Sequence, residues 1–166
     1  MLYALRTETN NDIFTVSPGS DSAPVALLST PSNERAPSVS PDGKWLLFQS
    51  ARGSASQIFV RQYPGLTGIP RQVSSGDGSQ PMWSKDGREI FYLSSSDSLM
   101  SVSVLPGPTF TVGAERALFS MLGVANWDVM PEGRRFVLVR ESAAAAASRL
   151  VVVENFHDEL KAKVPR

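Results

Sequence analysis

A tight-turn motif recurs along the chain and limits what it can fold into. Pro37-Ser38-Val39-Ser40-Pro41-Asp42-Gly43-Lys44 precedes Trp45-Leu46-Leu47-Phe48. Pro81-Met82-Trp83-Ser84-Lys85-Asp86-Gly87-Arg88 precedes Glu89-Ile90-Phe91-Tyr92-Leu93. A weaker copy, Asp128-Val129-Met130-Pro131-Glu132-Gly133-Arg134, precedes Arg135-Phe136-Val137-Leu138. The three glycines lie 44 and then 46 residues apart. Proline presets φ for a turn, aspartate bonds its own local backbone, and glycine accepts the left-handed conformation. Each copy therefore predicts strand, tight turn, strand.

A second repeat runs out of phase with the first. Asp12-Ile13-Phe14-Thr15-Val16 matches Gln57-Ile58-Phe59-Val60-Arg61, then Ser98-Leu99-Met100-Ser101-Val102, with Leu150-Val151-Val152-Val153 as a fourth copy. Each predicts a third strand. Val25-Ala26-Leu27-Leu28, Arg71-Gln72-Val73 and Ala117-Leu118-Phe119 predict a fourth. Four short strands at a period of about 40–45 residues are the signature of a β-propeller. The fold class is therefore all-β, with four-stranded antiparallel blades, about three to four of them. The expected units are a partial blade at 1–30 lacking its innermost strand, complete blades at 31–75 and 76–122, and a partial blade at 123–155. In the tail, Phe156, Leu160 and Val164 share one helical face, and Asn155 is a capping residue. A short C-terminal helix over 156–163 follows, in a tail spanning 156–166.

These hairpins and the Asp-Ile-Phe-x-Val strands between them resemble the WD-like repeats of the TolB-type propeller family over roughly residues 1–153. The tail Val153-Glu154-Asn155-Phe156-His157-Asp158-Glu159-Leu160-Lys161 is similar to the closing segment of multi-domain bacterial proteins. In some of these a serine/threonine kinase domain and a membrane span precede such a propeller. The usual tail has Asn-Trp and a Glu-Glu-Leu stretch where this chain has Phe156 and His157-Asp158. The resemblance implies a non-catalytic scaffold or sensor that binds a protein or peptide, in a periplasmic or extracytoplasmic setting. It leaves two alternatives open: the sensory end of a membrane kinase, and the gating propeller of a prolyl-oligopeptidase-type peptidase.

Composition narrows the chemistry. The 166 residues contain no cysteine, which removes disulfides, thiol catalysis and Cys-based zinc sites. Formal net charge is zero, so no basic footprint argues for nucleic acid. No run approaches the ~18 apolar residues of a membrane span, and no signal peptide is visible. Met1-Leu2-Tyr3-Ala4-Leu5 reads directly into a strand, so the chain is expected to begin in mid-fold, as a fragment of a longer protein.

No catalytic set emerges, so no enzyme is expected. The single histidine, His157, lies in the tail, and no Gly-x-Ser-x-Gly elbow presents a serine. The glycine loop, His-Arg-Asp and Asp-Phe-Gly of a kinase are also missing. Asp42, Asp86 and Glu132 occupy equivalent turn positions, which explains them without acid–base catalysis. Asn10, Asn11 and Asp12 lack the spacing of a calcium loop. Gly76-Asp77-Gly78 lacks the third glycine and helix of a phosphate loop. No metal or cofactor is expected. Ala143 to Ala147 reads as a long hairpin loop. Trp45, Phe48, Phe59, Trp83, Phe91, Tyr92, Trp127 and Phe136 lie on predicted strands and read as blade-packing core, with Trp83 and Trp127 nearest the channel.

Propellers bind through loops at a channel mouth. The loops entering the innermost strands read as Asn33-Glu34-Arg35, Asp77-Gly78-Ser79-Gln80 and Val124-Ala125-Asn126. Glu34, Arg35, Asp77, Gln80 and Asn126 are the expected partner contacts. An array too short to close a ring leaves a blade face and strand edges uncovered, so self-association is expected as well.

Overall fold

Four antiparallel sheets make up the structure, and within each the strands follow one another in sequence order. This computed structural model describes residues 10–17, 19, 23–105 and 109–140, and the backbone of 2–6 and 149–153. The first sheet holds β1 (Leu2–Arg6), β2 (Asn11–Thr15) and β3 (Val25–Leu28). The second holds β4 (Asn33–Val39), β5 (Trp45–Arg52), β6 (Ala55–Gln62) and β7 (Arg71–Gln72). The third holds β8 (Gly78–Trp83), β9 (Glu89–Ser94), β10 (Ser98–Leu105) and β11 (Thr111–Ser120). The fourth holds β12 (Val124–Val129), β13 (Phe136–Arg140) and β14 (Arg149–Val153). No helix occurs among the described residues. The expected tail helix, His157 and the Ala143–Ala147 loop lie outside them.

The Pro-Asp-Gly copies form the β4–β5, β8–β9 and β12–β13 hairpins with one geometry. Gly43 N–H donates to the Ser40 carbonyl at 2.9 Å, and Ser40 N–H to the Trp45 carbonyl at 2.8 Å. Gly87 and Ser84 repeat the pattern at 3.0 and 2.9 Å, and Gly133 and Met130 at 2.8 and 2.8 Å. The three glycines have φ of 73°, 70° and 71°, in the left-handed region that a Cβ disfavours. The serine is the second device. Ser40 Oγ donates to Asp42 Oδ1 at 2.6 Å and accepts from Trp45 N–H at 3.0 Å. Ser84 Oγ donates to Asp86 Oδ1 at 2.7 Å and accepts from Glu89 N–H at 2.9 Å. The third copy has methionine in place of the serine, and Glu132 pairs with Arg135 instead.

The apolar runs of β5 and β9 are continuous because each of these strands is buried on both faces. On β5, Leu46 and Phe48 pack with Ile13 and Leu28 of the first sheet. Leu47, between them, points the other way and joins Trp83, Ile90 and Tyr92 of the third. On β9, Ile90 and Tyr92 face the second sheet, while Phe91 faces Trp127, Phe136 and Leu138 of the fourth. On β13 the alternation continues outward, and Val139 on the far face is 38% exposed. Three apolar layers thus fill the three gaps between four sheets, each fully buried leucine contributing roughly 1.5–3 kcal/mol.

Apart from Asp77, the segments expected as loops into the innermost strands are strand residues. Register breaks fall between Arg35 and Ser38, Ser79 and Met82, and Val124 and Asn126. Ala36 and Gln80 are left-handed there, at φ 48° and 52°. A bulge thus interrupts the alternation of each innermost strand, so its sequence reads as a polar loop. Gly78 meets this crowded end, where a Cβ would lie 2.8 Å from the Tyr92 ring and 3.0 Å from Ile58.

Two outcomes are expected. Leu47→Ala should destabilise the chain by about 2–5 kcal/mol in denaturant melts, while Val139→Ala should stay within about 0.5 kcal/mol. The Ser40 hydroxyl, followed by the Lys44 backbone N–H and charge, holds Asp42 below the usual aspartate range, and Ser84 does the same for Asp86. Both carboxyls are depressed, so their stabilising effect is complete above the unfolded value of about 3.9 and is lost as pH falls through the folded values. In an NMR titration, Ser40→Ala should raise Asp42 toward the ordinary value and leave Asp86 unmoved.

Candidate functional site

The turns of the second and third sheets stand side by side, and between them opens a cleft of about 600 Å3. Trp45 is the first residue of β5, just past one turn, and Trp83 is the last of β8, just before the other. Phe110, leading into β11, completes the floor. The Trp45 and Phe110 rings lie 5.2 Å apart at 55°, and Trp83 meets Phe110 edge-on at 6.2 Å and 89°. These are favourable aromatic geometries, so the floor is set before any ligand arrives.

One atom of this floor is unsatisfied. Trp83 is 7% exposed, and its Nε1–H finds no acceptor among the described residues. A buried donor without a partner costs about 1–3 kcal/mol. The contrast with Trp127 is informative, because Trp127 Nε1 donates to Gln80 Oε1 at 3.0 Å.

The rim is charged. Lys44 Nζ lies 3.8 Å from Asp42, and Arg88 Nε lies 4.0 Å from Asp86. Exposed pairs of this kind are weak and exchange readily with a ligand's charges. A second hollow of about 330 Å3 shares Trp45, Thr109 and Phe110, and is edged by Lys44, Arg61 and Arg71. Arg71 Nη1 donates to the Phe110 carbonyl at 2.9 Å, anchoring that residue from β7. Leu105 and Ile69 stand exposed at the two ends. The two hollows adjoin at Trp45 and Phe110 and carry a mainly basic border. Among the described residues no group of three or more His, Cys, Asp or Glu side chains comes together. The Ser40 and Ser84 hydroxyls are engaged by their own turns.

The structure distributes the five expected contact residues differently from one another. Glu34 is 1% exposed and lies between sheets, unlike a solvated loop residue. Arg35, Asp77, Gln80 and Asn126 are exposed, at the opposite ends of the innermost strands from the cleft. Gln80 also ties sheets together. Its N–H donates to Gln49 Oε1 at 3.3 Å, Gln49 Nε2 to Ser56 Oγ at 2.8 Å, and Ser56 Oγ to the Gly78 carbonyl at 3.0 Å. Asn126 Oδ1 accepts from Trp127 N–H at 2.8 Å. From sequence alone Trp45 and Trp83 read as core, and no motif marks Phe110. The available signal was a tryptophan flanking each full copy of the turn motif.

No protein-family model matches the chain, and no curated protein matches it by sequence. Solved structures do match. TolB from Acinetobacter baumannii aligns with a TM-score of 0.67 and 18% identity, over 91% of this chain and 37% of that one. A protein assigned as TolB from Agrobacterium tumefaciens aligns at 0.66 and 18%, over 93% of this chain and 57% of that one. The β-propeller domain of Cps50 (Swd1) from Myceliophteria thermophila aligns at 0.63 and 12%, over 93% and 55%. The chain spans less than two thirds of each of these structures. With its sequential antiparallel sheets of three or four strands packed face to face, the chain has the fold of a TolB-like β-propeller.

Proposed function

We propose that the chain is a non-catalytic binding module that holds a protein partner through an extended peptide segment laid in the turn-side cleft. The observation that carries this reading is the unpartnered Trp83 Nε1–H in a preformed aromatic floor. A peptide carbonyl is an acceptor of the right kind, and an aromatic or aliphatic side chain fills the space between Trp45 and Phe110. Lys44, Arg61, Arg71 and Arg88 outnumber Asp42 and Asp86 along the border, which favours acidic residues beside the anchor. The likeness to TolB propellers supports an extracytoplasmic setting as part of the same proposal. Arg35, Asp77, Gln80 and Asn126, at the other end of the innermost strands, are the competing docking surface.

Selection of a random peptide library against the full chain tests this. Enriched peptides should share a large apolar residue next to aspartate or glutamate. They should bind Trp83→Phe, which keeps a ring but loses the N–H, at least about 10-fold more weakly, a difference of about 1.4 kcal/mol. Peptides without an apolar anchor, or equal binding to the variant, would overturn the assignment.

A further inference from the structure

Glu34 is the most deeply buried charged side chain among the described residues, and its surroundings do not satisfy it. It projects from β4, directly opposite Ser50 in the β4–β5 ladder. Thr30 Oγ1 donates to Oε1 at 2.5 Å. Oε2 has no hydrogen-bond partner among the described residues; the Ser50 hydroxyl is near enough to favour the charge, without hydrogen-bond geometry. On β2 the neighbouring carboxylate, Asp12, is 7% exposed. Ser29 Oγ donates to its Oδ2 at 2.9 Å, and its Oδ1 is also unpartnered among the described residues. Two buried acceptors thus await a donor at the boundary of the first and second sheets.

Glu34 also lines a cavity of about 270 Å3. Leu28, Phe48, Phe59 and Pro70 give it apolar walls, and the rings of Phe48 and Phe59 stack at 6.0 Å and 25°. Its one basic lining residue is Arg61, whose Nε donates to the Gly68 carbonyl at 3.2 Å. The volume lies below the roughly 300–1,000 Å3 of drug-sized sites, which limits an occupant to a short alkyl chain or a single ring. The walls disfavour a hydrated metal ion, which demands oxygen ligands all round.

We propose that this cavity binds a small organic cation, an ammonium head on a short apolar body, with the head on Glu34 Oε2 and the body against Leu28, Phe48 and Phe59. An ammonium group brings three donors and a full positive charge to the orphaned Glu34 oxygen. A phenyl wall further favours a cation that has shed its water. This cavity is distinct from the peptide cleft at the turns of the second and third sheets, with Arg61 bordering both.

Burial, and then the charge on Asp12, push the Glu34 carboxyl above the usual glutamate range, against the Thr30 hydrogen bond. The charged groups facing it are Asp12 on β2 and Arg61 on β6. A bound cation needs Glu34 ionised, so affinity must rise with pH through its titration.

Isothermal titration of the full chain with phenethylamine and phenethyl alcohol tests the proposal. The amine should bind at least about 10-fold more tightly than the alcohol, and Glu34→Gln should abolish that difference. Equal binding of amine and alcohol, or a variant that keeps the preference, would overturn it. The wild-type protein gives a second readout that does not depend on the variant folding. From about pH 4 to about pH 8 the amine stays protonated, and the upward shift of Glu34 places its ionisation above the ordinary glutamate value of about 4.3. Affinity for the amine should increase across that interval, and a flat or falling profile would contradict the assignment.

Discussion

Burial of the central strands on both faces is the constraint on which the rest of the structure depends. A single four-stranded sheet of this size has two sides to cover and little covalent means to do so, since the chain has no cysteine. Stacking sheets face to face solves this, and each of the two inner sheets supplies half of two cores. The alternation Leu46, Leu47, Phe48 assigns consecutive side chains to different neighbours. The same holds for Ile90, Phe91 and Tyr92. Stability is therefore approximately a sum over interfaces between neighbouring sheets, as in other repeat architectures.

The sites follow from that stacking. Each innermost strand ends in a turn fixed by a left-handed glycine, and in the two full copies by a serine bridging the aspartate to the following strand. Rigid turns on adjacent sheets hold Trp45 and Trp83 on either side of one gap, and Phe110 closes its floor. Trp83 belongs to the core between the second and third sheets, yet its donor has no partner among the described residues. The Glu34 cavity arises one interface earlier, where β4 meets the smaller first sheet.

The sequence made the all-β class and the hairpins legible because their chemistry is local. Ser-Pro-Asp-Gly specifies its own turn, and a continuous apolar run after it specifies a strand with two buried faces. The bulged starts of the innermost strands read as loops, since a left-handed Ala36 or Gln80 carries no local signature. Glu34 was placed at the surface because a charged residue between Asn33 and Arg35 looks solvated. Its burial depends on β2 and β5, which are distant in sequence. The cleft was hidden for a similar reason. Trp45, Trp83 and Phe110 come from three separate segments, and each alone reads as ordinary core. The competing expectation for a binding surface, at Arg35, Asp77, Gln80 and Asn126, follows from general propeller logic rather than from a contact visible in the residues.

The two candidate docking surfaces lie at opposite ends of β8, roughly 20 Å apart for a six-residue strand. That separation permits a direct decision. A photo-crosslinking side chain placed at Thr109, on the cleft rim, or at Asp77, at the start of the innermost strand, reports which end a partner touches in the full-length protein within its own cell. A partner crosslinked from Thr109 and not from Asp77 is the result predicted here. Crosslinking from Asp77 alone would contradict it.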